Sequence, residues 1–229
     1  MKLVREHINE RFTEEGDAVR DMGIGVGGLI KEYKKKVAKM HGWSSKDQVN
    51  DITAASQMVN EIGASGWRET SLSDEDYKTY MLMLEHLLKG GVDVNGSGTG
   101  FLSNALNIKH PTPRRLEVLK LLLKYGLKIK TLDYLMSHND DKSKTEAFKL
   151  LGEAGLKQRP KEKVAQTFKN NMLKWACEFK NDELTKWALD KGADPSMKNH
   201  YALQSALIYN NVELIKLFVK ELLKEPEYK

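Results

Sequence analysis

The chain has 229 residues, of which 40% are hydrophobic and 30% charged, and its formal net charge at pH 7 is +5. This length and apolar content allow one or two helix-rich domains with a substantial core. No apolar run approaches the roughly 20 residues of a membrane span, and the charged N-terminus has no signal-peptide core. The single cysteine excludes an intrachain disulfide and a cysteine-rich zinc site. We therefore expect a cytoplasmic protein.

The first 72 residues predict a helical N-terminal region. Apolar residues recur at helical spacing over 3–12 and 29–41, and on a helix that runs from a cap at Ser45 to a stop at Gly63. The stripe of the second helix comprises Ile30, Tyr33, Val37 and Met40. Trp67, in the loop that follows, is interpreted as a lid over the helices or as an exposed anchor for a partner.

Glycines in the N-terminal region match a nucleotide-binding pattern. Gly23, Gly25 and Gly28 satisfy G-x-G-x-x-G and precede a helix. A dinucleotide site also needs a buried β-strand before the first glycine and an acidic residue about 20 positions later. The preceding residues 18–22 are too few and too charged for that strand. The glycines therefore favour a flexible joint over a nucleotide site.

Residues 2–25, KLVREHINERFTEEGDAVRDMGIG, resemble an N-terminal segment of proteins from tailed bacteriophages. The resemblance implies a phage origin, and thus a location in the host cytoplasm or in a virion. It also implies that the partner is a host protein, for example of a defence system, or a virion component.

Residues 173–223 contain two copies of one unit. Each copy opens with Leu-x-x-Ala, passes a polar corner and reaches a glutamate that begins a second apolar helix. The matching residues are Leu173, Ala176 and Glu183, then Leu203, Ala206 and Glu213. The first copy ends in Lys-Gly-Ala-Asp-Pro at 191–195. This pattern resembles the ankyrin repeat, a unit of about 33 residues with two antiparallel helices and a glycine-containing hairpin.

Earlier parts of the chain carry the same signs. A helix that starts at Ser73 ends in KGGVDVN at 89–95, close to the ankyrin ending Gly-Ala-Asp-Val-Asn. A unit over 101–130 places Gly126 after its outer helix. A divergent unit has an inner helix marked by Leu132 and Leu135, and an outer helix around 146–151 that Gly155 is predicted to stop. Residues 157–169 are interpreted as an extended loop or an extra helix.

We predict an all-α, ankyrin-like helical-repeat solenoid, with an N-terminal helical segment and cap over 1–72 and repeats over 73–229. Stacked helix pairs bury apolar stripes that a single pair leaves exposed. The resemblance implies a non-enzymatic protein–protein interaction module. By position in the repeat, the expected contacts on inner helices are Asn104, Asn107, Lys174, Glu178, Gln204 and Tyr209. The expected contacts at hairpin tips are Asp93, Asn95, Lys128, Lys157, Asp194 and Lys198.

Motifs for catalysis and metal binding are weak in this sequence. The six histidines are scattered without an H-x-x-x-H pair, and no serine lies in G-x-S-x-G. His138 beside Asp140 and Asp141 favours a solvated turn over a cation site. Cys177 lies on a predicted inner helix, which favours a buried side chain over a reactive thiol. We predict no catalytic residue, no metal and no cofactor.

A basic region, residues 109–163, supports an alternative function. It holds fourteen Lys or Arg against seven Asp or Glu. A solvated surface is one interpretation; contact with nucleic acid or an acidic protein is the other. The candidate anion contacts are Arg114, Arg115, Lys157, Arg159, Lys161 and Lys163. Single-strand binders interleave exposed aromatics with such charge, whereas Tyr125, Tyr134 and Phe148 fall on apolar helix positions, which weakens the nucleic-acid interpretation.

Overall fold

The computed structural model describes residues 25–42, 49–64, 72–96, 100–108, 112–129 and 144–223. These residues form ten α-helices and no strand, which confirms the predicted all-α helical-repeat fold. The helices are α1 (Val26–Met40), α2 (Asp51–Ala64), α3 (Asp74–Lys89), α4 (Phe101–Leu106), α5 (Thr112–Lys124), α6 (Thr145–Lys157), α7 (Glu162–Glu178), α8 (Asp182–Asp190), α9 (Met197–Ile208) and α10 (Val212–Leu222).

The chain divides into two compact units, Met1–Leu127 and Lys128–Lys229. The boundary predicted at residue 72, between cap and repeats, concerns the repeat pattern and stays a prediction. Trp67, the predicted helix over 3–12 and the inner helix at Leu132 and Leu135 lie outside the described residues.

Helical hairpins build the first unit. α2 pairs with α3, α4 pairs with α5, and α2 and α4 pack against each other; α1 packs on both α2 and α3. The predicted stripe of α1 is buried at Ile30, Tyr33 and Val37, but Met40 is 51% exposed. Met40 is the last residue of α1, and Ala38 is buried at 5% exposure.

Capping residues set the starts of α2 and α3. The Asn50 side chain accepts a hydrogen bond from the Thr53 amide at 2.8 Å, so the helix begins after Asn50 and the prediction of a cap at Ser45 is wrong. The helix also continues past Gly63 to Ala64. α3 begins at Ser73 as predicted, where Ser73 Oγ accepts from the Asp76 amide at 3.0 Å.

A half-buried polar cluster joins α1, α2 and α3. Lys36 Nζ lies 2.9 Å from Glu61 Oε2, and the Tyr80 hydroxyl donates to the same oxygen at 2.8 Å. The rings of Tyr33 and Tyr80 meet edge to face at 5.6 Å between centroids. Burial, with the Glu61 carboxylate nearby, raises the pKa of both tyrosines. This cluster fixes the three helices through polar contacts as well as apolar packing.

The hairpin ending predicted after α3 adopts a tight turn. Gly91 has φ +94°, a conformation that side chains disfavour, and the Val92 amide returns to the Leu87 carbonyl. Asp93 Oδ1 then accepts from the Asn95 amide at 2.8 Å. In the second unit Asp194 Oδ1 accepts from the Ser196 amide at the same distance. The aspartate of the repeat ending therefore closes an Asx turn.

The second unit contains α6 and two further hairpins, α7–α8 and α9–α10. α6 packs against α7 and α8, and α7 packs against α9. Residues 158–161 form a short connection, and α7 then runs without interruption from Glu162 to Glu178. Of the two interpretations of 157–169, the helical one applies to residues 162–169, which are not a separate helix but the first part of the inner helix marked by Leu173.

Gly155 does not stop α6, because the helix continues to Lys157. A Cβ at this position would lie 2.5 Å from Phe168 Cζ of α7. A Cβ at Gly152, three residues earlier on the same helix face, would overlap the ring of Trp187 on α8. These glycines let two aromatic rings lie directly on the α6 backbone, so they serve packing.

The two predicted repeat copies have matching corners. Lys180 and Asn210 both adopt left-handed backbone, with φ 52° and 50°. The following asparagines, Asn181 and Asn211, both accept a hydrogen bond from an amide three residues on, at 3.0 and 3.1 Å. Such agreement in backbone and capping confirms a repeated unit with a 30-residue offset.

Candidate functional site

The inner helices α7 and α9 present one continuous face, which we call the inner-helix face: Lys174, Glu178, Tyr201, Gln204, Ile208 and Tyr209. α7 and α9 pack side by side. The 30-residue offset of the repeat places Gln204 at the position of Lys174, and Ile208 at the position of Glu178. The structure thus brings together four of the predicted contact residues, Lys174, Glu178, Gln204 and Tyr209.

Part of this face is a linked polar cluster of Lys174 and Glu178 from α7 with Tyr201 from α9. Lys174 Nζ lies 3.5 Å from Glu178 Oε1, and the Tyr201 hydroxyl donates to that oxygen at 2.7 Å. Lys174 Nζ also lies 5.8 Å from the centre of the Tyr201 ring. The hydrogen bond to the carboxylate raises the pKa of Tyr201. The three side chains are half-buried, so contact with a partner desolvates charges that already have partners.

The end of α9, at Ile208 and the following Tyr209, is apolar and open. Ile208 is 77% exposed, and the neighbouring Tyr209 is 45% exposed. Lys180 Nζ lies 4.1 Å from the centre of the Tyr209 ring, a cation–π contact that holds the ring against the corner of the repeat. An isoleucine with this exposure beside a positioned aromatic ring forms an apolar centre with a polar border.

Ile208 was missing from the predicted contacts. Hydrophobic periodicity assigns such a residue to the core by default. The sequence does indicate that Ile208 is exposed when the two copies are aligned. In that alignment Ile208 occupies the position of Glu178, a charged residue that faces solvent in part.

The other predicted protein contacts are not among the residues of this face. Asn107 is exposed at the end of α4, and Asn104 Nδ2 contacts the Ser56 carbonyl at 3.5 Å, both in the first unit. Lys128 is exposed. Asp194 holds its own turn, because its Oδ1 accepts from both the amide and the hydroxyl of Ser196, at 2.8 and 2.6 Å.

Of the remaining predicted hairpin-tip residues, two are bonded within their own unit and one is exposed. Asp93 and Asn95 are joined in the turn after α3, and Asn95 Nδ2 also donates to the Gly126 carbonyl at 2.9 Å. Lys157 is exposed. The side chain of Lys198 lies outside the described residues.

Two of the candidate anion contacts, Arg114 and Arg115, are buried in the first unit, at 6% and 0% exposure. Arg115 Nε donates to the Ile108 carbonyl at 2.6 Å. Arg114 donates to the Leu72 carbonyl at 2.9 Å and contacts Asp74 at 2.5 Å. Both guanidinium groups bind parts of their own unit, which argues against a role as exposed anion contacts.

Arg159 also has an internal role. Its guanidinium donates to the carbonyls of Gly155 and Ile129 and lies 4.3 Å from the centre of the Phe168 ring. Partial burial lowers its pKa. Lys157, Lys161 and Lys163 are exposed around the connection between α6 and α7. The basic region therefore offers three surface lysines at this connection, with the three arginines used for structure.

Cys177 of α7 is 3% exposed, and its sulfur lies 3.8 Å from Thr185 Oγ1 of α8. Burial raises the pKa of its thiol to about 12, which keeps the sulfur protonated and unreactive at neutral pH. The expectation of a buried cysteine is confirmed. Among the described residues, no group of three or more His, Cys, Asp or Glu side chains could hold a metal ion.

Comparison with protein-family models finds a match to ankyrin repeats (many copies) over residues 173–219. The matched segment contains the last six residues of α7, all of α8 and α9 and most of α10, so it covers the two copies that form the inner-helix face. Comparisons with curated proteins and with solved structures give no match. No helix within the described ranges is long and apolar enough to cross a membrane.

Proposed function

We propose that this chain is a non-enzymatic protein-binding module that uses the inner-helix face. The observation that carries the proposal is the exposure of Ile208, at 77%, next to Tyr209. Exposed apolar groups with a polar border are typical of protein-binding sites. Ankyrin repeats generally mediate protein–protein interaction, and the matched repeats include both residues.

The polar part of the face would determine which partner binds. Glu178 is bonded to Lys174 and Tyr201 within the face, so its carboxylate is held in one position before a partner arrives. A preorganised charged group lowers the side-chain entropy lost on binding. We expect Ile208 and Tyr209 to supply most of the affinity, and the Lys174–Glu178–Tyr201 cluster to select the partner.

The partner that we propose is a host protein, for example of a defence system, or a virion component. This finer proposal depends on the resemblance of residues 2–25 to a segment of tailed-phage proteins. It implies action in the host cytoplasm or in a virion. Its support is the sequence resemblance, and the binding proposal above does not depend on it.

Affinity capture with matched variants tests the proposed function. The wild-type chain and Ile208→Glu would be used to capture proteins from the lysate of a candidate host after nuclease treatment. Leu82→Glu is the control, because Leu82 is 51% exposed on α3 of the first unit. We expect one stoichiometric protein with the wild type and Leu82→Glu, and at least a tenfold loss with Ile208→Glu, since a hot-spot residue contributes about 2 kcal/mol or more. Equal capture by both variants would contradict the proposal.

A salt series separates this function from nucleic-acid binding through Lys157, Lys161 and Lys163. Binding to phosphates weakens steeply with salt, because each neutralised phosphate releases a counterion. If the wild type recovers only nucleic acid, if moderate salt abolishes that recovery, and if replacing the three lysines by glutamate prevents it, the basic surface is the functional site and the inner-helix face is not.

A further inference from the structure

The last hairpin has a second exposed apolar surface, which we call the end face: Leu207, Val212, Val219 and Leu223. These side chains are 56%, 52%, 42% and 56% exposed. Val212, Val219 and Leu223 recur at i, i+7 and i+11, so they form one stripe along α10 and the residue that follows it. The stripe lies beside the inner-helix face but does not include Ile208.

The preceding repeat copy shows what such positions normally do. With the 30-residue offset, Leu207 and Leu223 correspond to Cys177 and Ala193, which are only 3% and 5% exposed. Val212 corresponds to Asp182, whose carboxylate accepts a hydrogen bond from Asn211 Nδ2 at 2.8 Å. In the first copy one of these positions therefore bonds the next hairpin and the other two are buried, whereas in the last copy all three are exposed.

The residue types argue against another repeat hairpin as the occupant of the end face. Where the first copy has the small Cys177 and Ala193, the last copy has two leucines, and the aspartate that bonds the next asparagine has become Val212. Close stacking of the repeat needs small groups and the polar bond between asparagine and aspartate. A row of projecting valine and leucine side chains suits a helix that offers the same kind of row.

The charges beside the stripe favour a second copy of this helix. Glu213 and Lys220, seven residues apart, lie on the same flank of α10, and Lys216 lies between them. When two copies of α10 pack antiparallel about a two-fold axis, Glu213 of each copy lies near Lys220 of the other. Lys216 keeps its own Glu213 at 3.4 Å. The two Glu213–Lys220 pairs are therefore complementary across the axis in the antiparallel arrangement.

We propose that the end face forms a weak, symmetric homodimer through antiparallel packing of α10. A two-fold interface uses the same surface on both copies and closes at the dimer. Four half-exposed side chains on each copy form a small interface, so we expect a dissociation constant in the micromolar range. This inference does not depend on the proposed partner binding.

Sedimentation equilibrium over roughly 1 to 300 μM protein tests the proposal. We expect the wild type to pass from monomer to dimer, Val219→Glu to stay monomeric, and the control Leu82→Glu to behave as the wild type. Circular dichroism would verify that each variant keeps its helix content. A wild type that stays monomeric at the highest concentration, or that forms species larger than a dimer, overturns the proposal.

Charge exchange provides a second test that leaves the apolar stripe unchanged. Glu213→Lys and Lys220→Glu should each weaken the dimer by about threefold to tenfold, the usual range for partly exposed ion pairs made twice by symmetry. The double variant restores the pairing with exchanged signs and should recover most of the affinity. The antiparallel arrangement is overturned if the double variant loses as much dimer affinity as the two single variants lose together. Ile208→Glu should lose partner capture and keep the dimer, whereas Val219→Glu should lose the dimer and keep partner capture.

Discussion

The capping asparagine Asn181 gives a direct measure of how the repeat units are joined. It is 8% exposed; its Oδ1 accepts from the Leu184 amide at 3.0 Å, and its Nδ2 donates to Thr145 Oγ1 at 2.8 Å. Asn181→Ala removes a helix cap worth about 1 kcal/mol and a buried hydrogen bond worth about 1 kcal/mol more. The Thr145 hydroxyl also loses a partner, so we expect a loss of roughly 2–3 kcal/mol in the free energy of unfolding.

Urea unfolding, followed by circular dichroism and by tryptophan fluorescence, measures this loss. Asn181→Ser keeps a capping oxygen but is too short for Thr145, so it should lose only about 1 kcal/mol. Asn211→Ala is the matched control from the next copy, where the asparagine is less buried, and we expect it to cost less than Asn181→Ala. A double-mutant cycle with Thr145→Ala should give a coupling near 1 kcal/mol. The reasoning is refuted if Asn181→Ala costs under about 0.5 kcal/mol, or if the coupling is zero.

Two further predictions concern buried positions of the second unit. Gly155→Ala places a Cβ 2.5 Å from Phe168 Cζ, so it should destabilise by about 1–3 kcal/mol despite a helix-propensity gain near 1 kcal/mol. In a Phe168→Leu background the same change should cost clearly less; an equal cost measured by urea unfolding contradicts the close-contact explanation. Cys177, with a pKa of about 12, should resist iodoacetamide at pH 8 in the folded chain and react once urea unfolds it, and rapid alkylation without urea would show that the thiol is accessible.

The fold could be predicted because its signals are local. Helical spacing of apolar residues, the cap at Ser73 and the glycine endings all describe short stretches of chain. Gly155 shows the limit of such reasoning. A glycine permits a left-handed turn and also permits close approach of another side chain, and the sequence alone does not distinguish the two. At Gly91 the glycine forms the predicted left-handed turn. At Gly155 a glycine is required because Phe168 of the next helix packs against it.

The candidate site could be predicted only in part, because exposure depends on neighbours that are distant in sequence. Arg115 contributes to the charge of the basic region, yet it donates to the carbonyl of Ile108 and is fully buried. A count of charges cannot detect that carbonyl. Ile208 shows the reverse error, since periodicity assigns it to the core, whereas its side chain is 77% exposed. Comparison of the aligned copies corrects the assignment, because Ile208 replaces a charged residue.

Repetition itself supplies an argument that neither composition nor a single helix can give. Asp182 and Val212 occupy the same position in the two repeat copies, whose backbones match, so the difference between these residues reflects what lies against each one. Asp182 is bonded to Asn211 of the following hairpin, whereas Val212 is 52% exposed. A valine at a position that elsewhere needs a carboxylate indicates that the surface over α10 meets an apolar occupant of a different kind. The inner-helix face around Ile208 and the end face around Val219 can therefore be tested as two separate binding sites, although both belong to the same hairpin.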